Sequence, residues 1–152
     1  MRNKICLALL GLTIISFVGC GLKQSYQQSV DYGQKHIDKI YKGIPADSYA
    51  DFADSVKKVY SLKEHKEFVR IIQSLGEYLA IKADDWSFNS EDGLDTYIID
   101  FALKYPDYTQ YARLTIVKAN GKFQMISDDF MRAATYKKLK AQEKAAKEKT
   151  KP

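Results

Sequence analysis

The stretch TYIIDFALKY, residues 96 to 105, alternates apolar and polar side chains more regularly than any other part of the chain. In an extended chain, successive side chains point to opposite faces. One face here is wholly aromatic or aliphatic and holds Tyr97, Ile99, Phe101, Leu103 and Tyr105. Asp100 and Lys104 share the other face. This alternation predicts a β-strand that buries one side in a hydrophobic core.

Further strands are predicted on both sides of this strand, separated from it by turn residues. Pro106 and Asp107 end it, and residues 111 to 118 return with Leu114 and Ile116 on one face. Asn120 and Gly121 suit a two-residue hairpin turn into a strand over residues 122 to 128, since both tolerate positive backbone angles. An earlier strand is indicated by Trp86 and Phe88, followed by a turn at residues 91 to 93. We therefore predict a meander of about four strands.

The residues before the sheet have a helical period. A first helix carries Tyr26, Val30 and Tyr41 on one face and ends before Gly43 and Pro45. A second runs from a cap at Asp47 to Tyr60. A third opens with a capping box formed by Ser61 and Glu64, and we expect Gly76 to lie within it.

This order of elements predicts an α+β fold, with about three N-terminal helices packed on a curved antiparallel sheet of about four strands. Over residues 46 to 131 it resembles the cystatin-like and NTF2-like folds, and especially small exported bacterial domains of that superfamily. We place the domain at residues 29–131. Because isomerase-like members of the superfamily use a buried Tyr and Asp between helices and sheet, the resemblance draws attention to Asp100, although its parity places it opposite the aromatic face.

The N-terminus is typical of an export signal. Arg2 and Lys4 precede a run of apolar, small and hydroxyl residues from position 5 to 19. At about 15 residues, the run is shorter than the ~20 that a membrane-spanning helix needs. We therefore predict a signal peptide over residues 1–19.

The end of this run, Phe17-Val18-Gly19-Cys20, resembles the lipobox of bacterial lipoproteins. The resemblance implies cleavage between Gly19 and Cys20 and fatty acylation, such as with palmitate, of the Cys20 sulfur. Two or three acyl chains anchor a protein stably in a membrane, whereas one does so only marginally. Residues 20–28 would then form a short tether. In a Gram-negative cell, Gly21 after the cysteine implies the outer membrane, facing the periplasm. The alternative is a cysteine that ends an ordinary signal.

The basic charge of the chain is concentrated in its tail. Residues 132–152 carry eight basic and two acidic side chains, whereas residues 20 to 131 carry 14 basic and 17 acidic ones. We expect the first part of this Lys- and Ala-rich tail to continue as a helix and its end to fray. Lysine clusters are attracted to anionic lipid, but a solvated tail that only aids solubility is the simpler interpretation.

The side chains that carry chemistry are few and scattered. The only cysteines are Cys6 and Cys20, so the domain has no thiol chemistry. His36 and His65 lie on different predicted helices without metal-ligand spacing, and we expect His65 to be solvated. Neither a phosphate-binding loop nor a nucleophile motif is present. We therefore predict no catalytic residues, no metal and no cofactor.

The chain has 11 tyrosines, and several lie near one hairpin. Tyrosine combines an apolar ring with a polar tip and is favoured at contact surfaces. Our prediction for a binding surface is the group Tyr97, Tyr105, Tyr108 and Tyr111. The alternative is a sheet edge whose tyrosines only half cover the core.

These observations favour a non-enzymatic, lipid-anchored cell-envelope protein that binds an envelope protein, a peptide or a small ligand. We predict no nucleic-acid partner, because an exported chain seldom meets nucleic acid. The alternatives are an NTF2-like enzyme acting on a small molecule and a periplasmic immunity or inhibitor protein.

Overall fold

The computed structural model describes the backbone of residues 2–149 and the side chains of residues 21–149. The predicted signal peptide, with Gly19, and the predicted lipidation site Cys20 lie outside the residues whose side chains are described. Within the described part of the chain, none of the helices combines the length and apolar character needed to cross a membrane.

The fold is α+β, as the sequence predicts. Four strands form one open antiparallel sheet in the order β1-β2-β3-β4. The helices are α1 (Arg2–Lys42), α2 (Pro45–Tyr49), α3 (Asp54–Lys57), α4 (Leu62–Gln73) and α5 (Ala133–Lys149). The strands are β1 (Ala80–Glu91), β2 (Leu94–Lys104), β3 (Thr109–Ala119) and β4 (Lys122–Arg132).

Two tight turns set the register of the outer strand pairs. Asp92 and Gly93 join β1 to β2 with φ of 51° and 75°, and Asn120 and Gly121 join β3 to β4 with φ of 50° and 76°. Positive φ at both central residues matches the right-handed twist of the flanking strands. Both turns were predictable from these residue pairs.

Helix α1 lies along the sheet in the same direction as β2. The Ser25 hydroxyl is 2.6 Å from the Tyr97 hydroxyl at one end, and the Tyr41 hydroxyl bonds that of Tyr105 at the other. Between them, Gly33 lets the helix approach closely, since a Cβ there would stand 2.9 Å from the Phe101 ring. The buried core therefore fills the space between the helices α1 to α4 and one face of the sheet.

The helical part before the sheet differs from the prediction, because the second helix is broken. Helix α2 starts with Pro45 at its first position after the N-cap Ile44, so Asp47 is not the cap. The chain then leaves the helix because Phe52 pairs with Met125 at the edge of β4. Helix α3 follows as a separate turn.

The last of these helices begins as predicted. The Ser61 side chain accepts from the Glu64 backbone at 3.3 Å, and the Glu64 carboxylate accepts from the Ser61 backbone at 2.7 Å. Its end is earlier than predicted, because α4 stops at Gln73 and Gly76 lies beyond it with a φ of 83°.

The strands and α1 run between two opposite ends of the domain. We call the near end the one that holds Gly21 and the two turns at residues 92–93 and 120–121. We call the far end the one that holds Lys42, the β2–β3 turn and Arg132. Helix α5 starts at the far end and runs back along the outer face of the sheet, which α1 to α4 leave uncovered.

Candidate functional site

A pocket of about 660 Å³ opens at the far end of the domain. It lies between the end of α4, the β2–β3 turn and the start of α5. Its walls combine aliphatic, aromatic and cationic side chains, contributed by Leu75, Tyr108, Thr109, Gln110, Arg132, Ala133 and Ala134. A pocket that joins an apolar lining to a few polar groups is the usual form of a small-molecule or peptide site. We call it the far-end pocket.

Buried tyrosines hold the wall of this pocket in place. The hydroxyls of Tyr41 and Tyr105 bond each other, and each lies 3.3 Å from Oε1 of Gln110, which accepts the remaining proton of the pair. The Tyr105 ring stacks on Tyr108, with centroids 4.5 Å apart and planes 7° from parallel. Burial raises the pKa of Tyr41, so it remains a neutral donor at physiological pH. The wall is therefore fixed before any ligand arrives.

Two groups give the pocket hydrogen-bond donors. Gln110 is buried, and its oxygen accepts from the tyrosine pair, while its amide N–H groups have no partner among residues 21–149. Arg132 is exposed and pairs with no carboxylate among residues 21–149. An arginine binds a carboxylate or similar anion through two parallel hydrogen bonds. The pocket suits a ligand with an apolar body and an anionic or carbonyl group.

The structure does not bring the four predicted tyrosines to one surface. Tyr97 and Tyr105 are fully buried against the helices, at the near and far ends of β2. Tyr111 faces the opposite side of the sheet, where it stacks on Tyr136 with ring centroids 3.8 Å apart. Of the four, Tyr108 alone is exposed, and it lines the far-end pocket.

A buried charged cluster joins α1 to the edge of the sheet. Nδ1 of His36 is 2.9 Å from Asp51, and Nε2 is 3.2 Å from Asp128. Lys39 bonds the second oxygen of Asp51 at 2.6 Å. Burial disfavours the charged ring, but hydrogen bonds to Asp128 and Asp51 outweigh it, so the pKa of His36 is raised. Because the His36 side chain is wholly inaccessible and both its nitrogens are occupied, this cluster stabilises the fold and offers no reactive atom.

The expectation that His65 is solvated is wrong. Its side chain is buried, with Nε2 2.7 Å from the Ser48 hydroxyl and Nδ1 3.4 Å from that of Tyr60. The Ser48 hydroxyl itself donates to the Pro45 carbonyl at 3.2 Å, so the histidine ring donates to the serine. Burial lowers the pKa of His65 and keeps it neutral. A nucleophilic serine would need the reverse arrangement and access to substrate, so this pair instead ties α2 to α4.

Asp100 lies opposite the aromatic face, as its parity predicts, but it is buried there by α5. Arg113 binds both of its oxygens at 2.7 and 2.8 Å and reaches Glu143 of α5 at 2.5 Å. Tyr136 donates to Asp100 at 3.1 Å. The predicted tail is thus a helix to Lys149 that packs on the sheet, and Asp100 lies outside the space between sheet and α1 to α4.

Among residues 21–149, no group of three or more His, Cys, Asp or Glu side chains is arranged to hold a metal ion. Sequence reasoning did not identify Leu75, Gln110 and Arg132 as pocket residues, because they lie far apart in the chain.

Comparison of the chain with models of known protein families, with curated proteins and with solved structures finds no match.

Proposed function

We propose that this chain is a lipid-anchored protein of the bacterial cell envelope whose domain binds a peptide or small ligand in the far-end pocket, without catalysing a reaction. The lipobox-like sequence ending in Cys20 supports the anchor. The pocket's apolar lining, with Arg132 and Gln110 as donors, supports the binding role. The same proposal places the protein outside the cytoplasm, on the outer membrane if the cell is Gram-negative.

The observation that carries this proposal is the position of the pocket. Gly21, which follows Cys20, lies at the near end, while Arg132 and Tyr108 lie at the far end. An anchor on Cys20 would hold the near end against the lipid, so the pocket would open away from the membrane. A binding site presented to the periplasm in this way meets soluble partners freely.

We also propose that the domain has an NTF2-like or cystatin-like fold. Helices followed by four antiparallel strands, with one sheet face covered by α1 to α4, support an NTF2-like or cystatin-like domain. Helix α5 on the outer face is an addition to that arrangement. Such folds carry many functions, so the fold alone does not choose one.

The anchor is tested by expressing the wild type and Cys20→Ala in a bacterial host. Intact mass and partition into the membrane fraction are measured on the same preparations. We expect the wild type to begin at Cys20, carry added acyl mass and follow the membrane, and the variant to gain none. A wild type without acyl mass would disprove lipid anchoring.

The pocket is tested with 8-anilinonaphthalene-1-sulfonate, which combines aromatic rings with an anionic group. We expect the dye to bind the folded protein, and Arg132→Gln to weaken binding about tenfold, since a charged hydrogen bond contributes about 1.5–3 kcal/mol. Arg70→Gln is the matched control, because Arg70 pairs with Glu67 on the surface of α4. Equal binding by both variants and the wild type would place the dye elsewhere.

Exposed apolar side chains beside the pocket favour a second candidate. Leu75 and Leu79 are 42% and 67% exposed, and Tyr108 is 46% exposed. Apolar side chains grouped on a surface are typical of protein contacts. An immunity or inhibitor protein would use this end to cover a partner, and would co-purify with it as a defined complex.

A further inference from the structure

The near end of the domain exposes a second group of large apolar side chains. Leu22 of α1 and Phe88 of β1 line one shallow hollow. Trp86 lies two residues before Phe88 on the same side of the strand, with its ring 4.4 Å from that of Tyr26. Leu94 stands at the tip of the same hairpin, on the other face of the sheet. All four are between 37% and 41% exposed. We call Leu22, Trp86, Phe88 and Leu94 the near-end apolar surface.

The course of the chain indicates what covers this surface. Leu22 is only two residues from Cys20, and consecutive Cα atoms are about 3.8 Å apart. The chain from Gly21 onward is helical, and α1 is fixed to the sheet by the contact of Ser25 with Tyr97 and of Tyr26 with Trp86. Residues 20–28 therefore provide little slack as a tether. If Cys20 carries acyl chains, the near end stands at the lipid headgroups.

The charges around the near end suit a bilayer that contains anionic lipid. Lysines there come from four elements: Lys23 on α1, Lys118 on β3, Lys122 on β4, and Lys144, Lys147 and Lys149 toward the end of α5. They outnumber, by six to five, the acidic residues of the same stretches, which are Glu91, Asp92, Asp95, Glu143 and Glu148. Lysines near a membrane surface are attracted to anionic headgroups. Helix α5 delivers half of these lysines because it runs back from the far end.

The aromatic side chains suit the same environment. Tryptophan and tyrosine concentrate at membrane–water interfaces, where the apolar ring meets the acyl chains and the polar tip stays hydrated. Trp86 and Tyr26 form such a pair on one side of the near end.

We infer that the near-end apolar surface seats the domain directly on a bilayer containing anionic lipid, with Trp86 in the interface and the far-end pocket directed away from it. This inference rests on the proposed anchor at Cys20. It adds a fixed orientation to that anchor, since a flexibly tethered domain would leave these four side chains in water.

The chain contains a single tryptophan, so its fluorescence reports on Trp86 alone. The full chain is expressed in a bacterial host, recovered from the membrane fraction and reconstituted into vesicles of phosphatidylcholine and phosphatidylglycerol, 7:3, with and without bromine on the acyl chains. We expect bromine to reduce the Trp86 emission to about half or less. Equal emission in both vesicles would overturn the inference.

Paired variants separate this surface from the anchor. Leu22→Ser together with Phe88→Ser should restore most of the quenched emission, because the near-end apolar surface loses two of its four large apolar side chains. Leu79→Ser is the matched control, since Leu79 is exposed at the far end. Its emission should be quenched as in the wild type. Quenching that is unchanged by the double variant would overturn the inference.

The intact mass of the same preparation distinguishes failure of the anchor at Cys20 from failure of the near-end apolar surface to contact lipid. Acyl mass without quenching means that the anchor is real and the domain stands clear of the lipid. A chain without acyl mass disproves the anchor, and it is then titrated with the same vesicles. Quenching in that titration would support the near-end apolar surface on its own, and its absence would overturn it.

Discussion

His36 is the residue whose surroundings depart most from its ordinary chemistry. It lies fully buried between the carboxylates of Asp51 and Asp128, and Lys39 neutralises part of the negative charge. A charged group in such a place is tolerated only when its partners replace the lost water. The cluster therefore makes the fold depend on pH.

We predict that His36→Gln destabilises the domain by about 3 kcal/mol near pH 6, because it leaves buried carboxylates without their cation. The pKa of His36 is raised in the folded state from its ordinary value of 6.5. Its contribution is therefore complete below about pH 6.5 and is lost as the pH rises through the higher folded value. Urea unfolding from pH 5 to 9 should show the difference between wild type and variant shrinking at high pH. A difference that stays constant with pH would contradict this.

The second histidine should behave in the opposite sense. Burial lowers the pKa of His65 below 6.5, so its neutral form is the one the fold favours. Its contribution is complete above about pH 6.5 and is lost as the pH falls below that value. In the same urea series, the difference between wild type and His65→Gln should therefore shrink at low pH. Parallel behaviour of the two variants would contradict the assigned environments.

The partners of the two histidines were not predictable from local sequence, for a physical reason. His36 lies on the same side of α1 as Gly33 and Ile40, so its spacing alone indicates burial. Its partners, Asp51 and Asp128, come from a loop and a strand that only the tertiary fold brings together. A single sequence shows which side chains face inward but not which charges meet there.

At the scale of elements, the packing of α1 on the sheet depends on one glycine. Gly33 faces the Phe101 ring and Leu114, and an added Cβ would stand 2.9 and 3.1 Å from their side chains. Gly21 on the same helix has nothing within 4 Å of that position. We predict that Gly33→Val destabilises the domain by about 3 kcal/mol through overpacking. Gly21→Val, the matched control, should change the free energy of unfolding by less than about 0.5 kcal/mol. Equal effects in thermal or urea unfolding would contradict a close approach at Gly33.

Helix α5 is held to the outer sheet face through Tyr136. Its ring stacks on Tyr111, and its hydroxyl donates to Asp100 at 3.1 Å. We predict that Tyr136→Ala loosens α5 by about 3 kcal/mol, so that trypsin cleaves its lysines much faster while the rest of the domain stays folded. Tyr136→Phe keeps the stack and should lose only about 1 kcal/mol. If trypsin cut the wild type and Tyr136→Ala at the same rate, the helix would be held by other contacts.

The strands were the most predictable elements, because alternation and turn residues agree along the chain. The predicted strand at residues 96 to 105 corresponds to β2, Leu94–Lys104. The second helix was predicted from apolar spacing over residues 47 to 60, yet the chain there breaks into α2 and α3. A backbone bond from Ala53 to the Met125 carbonyl, 2.9 Å long, competes with the helix, and local sequence does not contain it.

For the whole molecule, the fold class was predictable but the arrangement of the candidate site was not. Alternation in one segment and helical spacing in others define α+β, whichever way the elements pack. The far-end pocket forms only where Leu75, Gln110 and Arg132 meet at one end of the domain. That meeting depends on the direction of β3 and β4 and on where α4 packs, which local sequence does not contain. The packing of helix α5 on the sheet was the largest difference, since its lysines give no apolar stripe and its contacts with Asp85, Asp100 and Arg113 are mostly polar.

Anchor and domain should be energetically separate, because the buried residues begin well after Cys20. Ser29 and Val30 are the first buried positions among the described side chains, and the core cluster extends from Val30 to later elements. If Cys20 is acylated as proposed, the acylated protein in detergent and an unacylated chain of residues 21–152 should unfold at temperatures within about 2 °C of each other. For a domain of this size, that interval corresponds to less than about 1 kcal/mol. Calorimetry of both forms in the same detergent tests this. A much lower unfolding temperature for the unacylated chain would mean that the acyl chains pack on the domain, and the near end would then be part of its stability as well as its seat on the membrane.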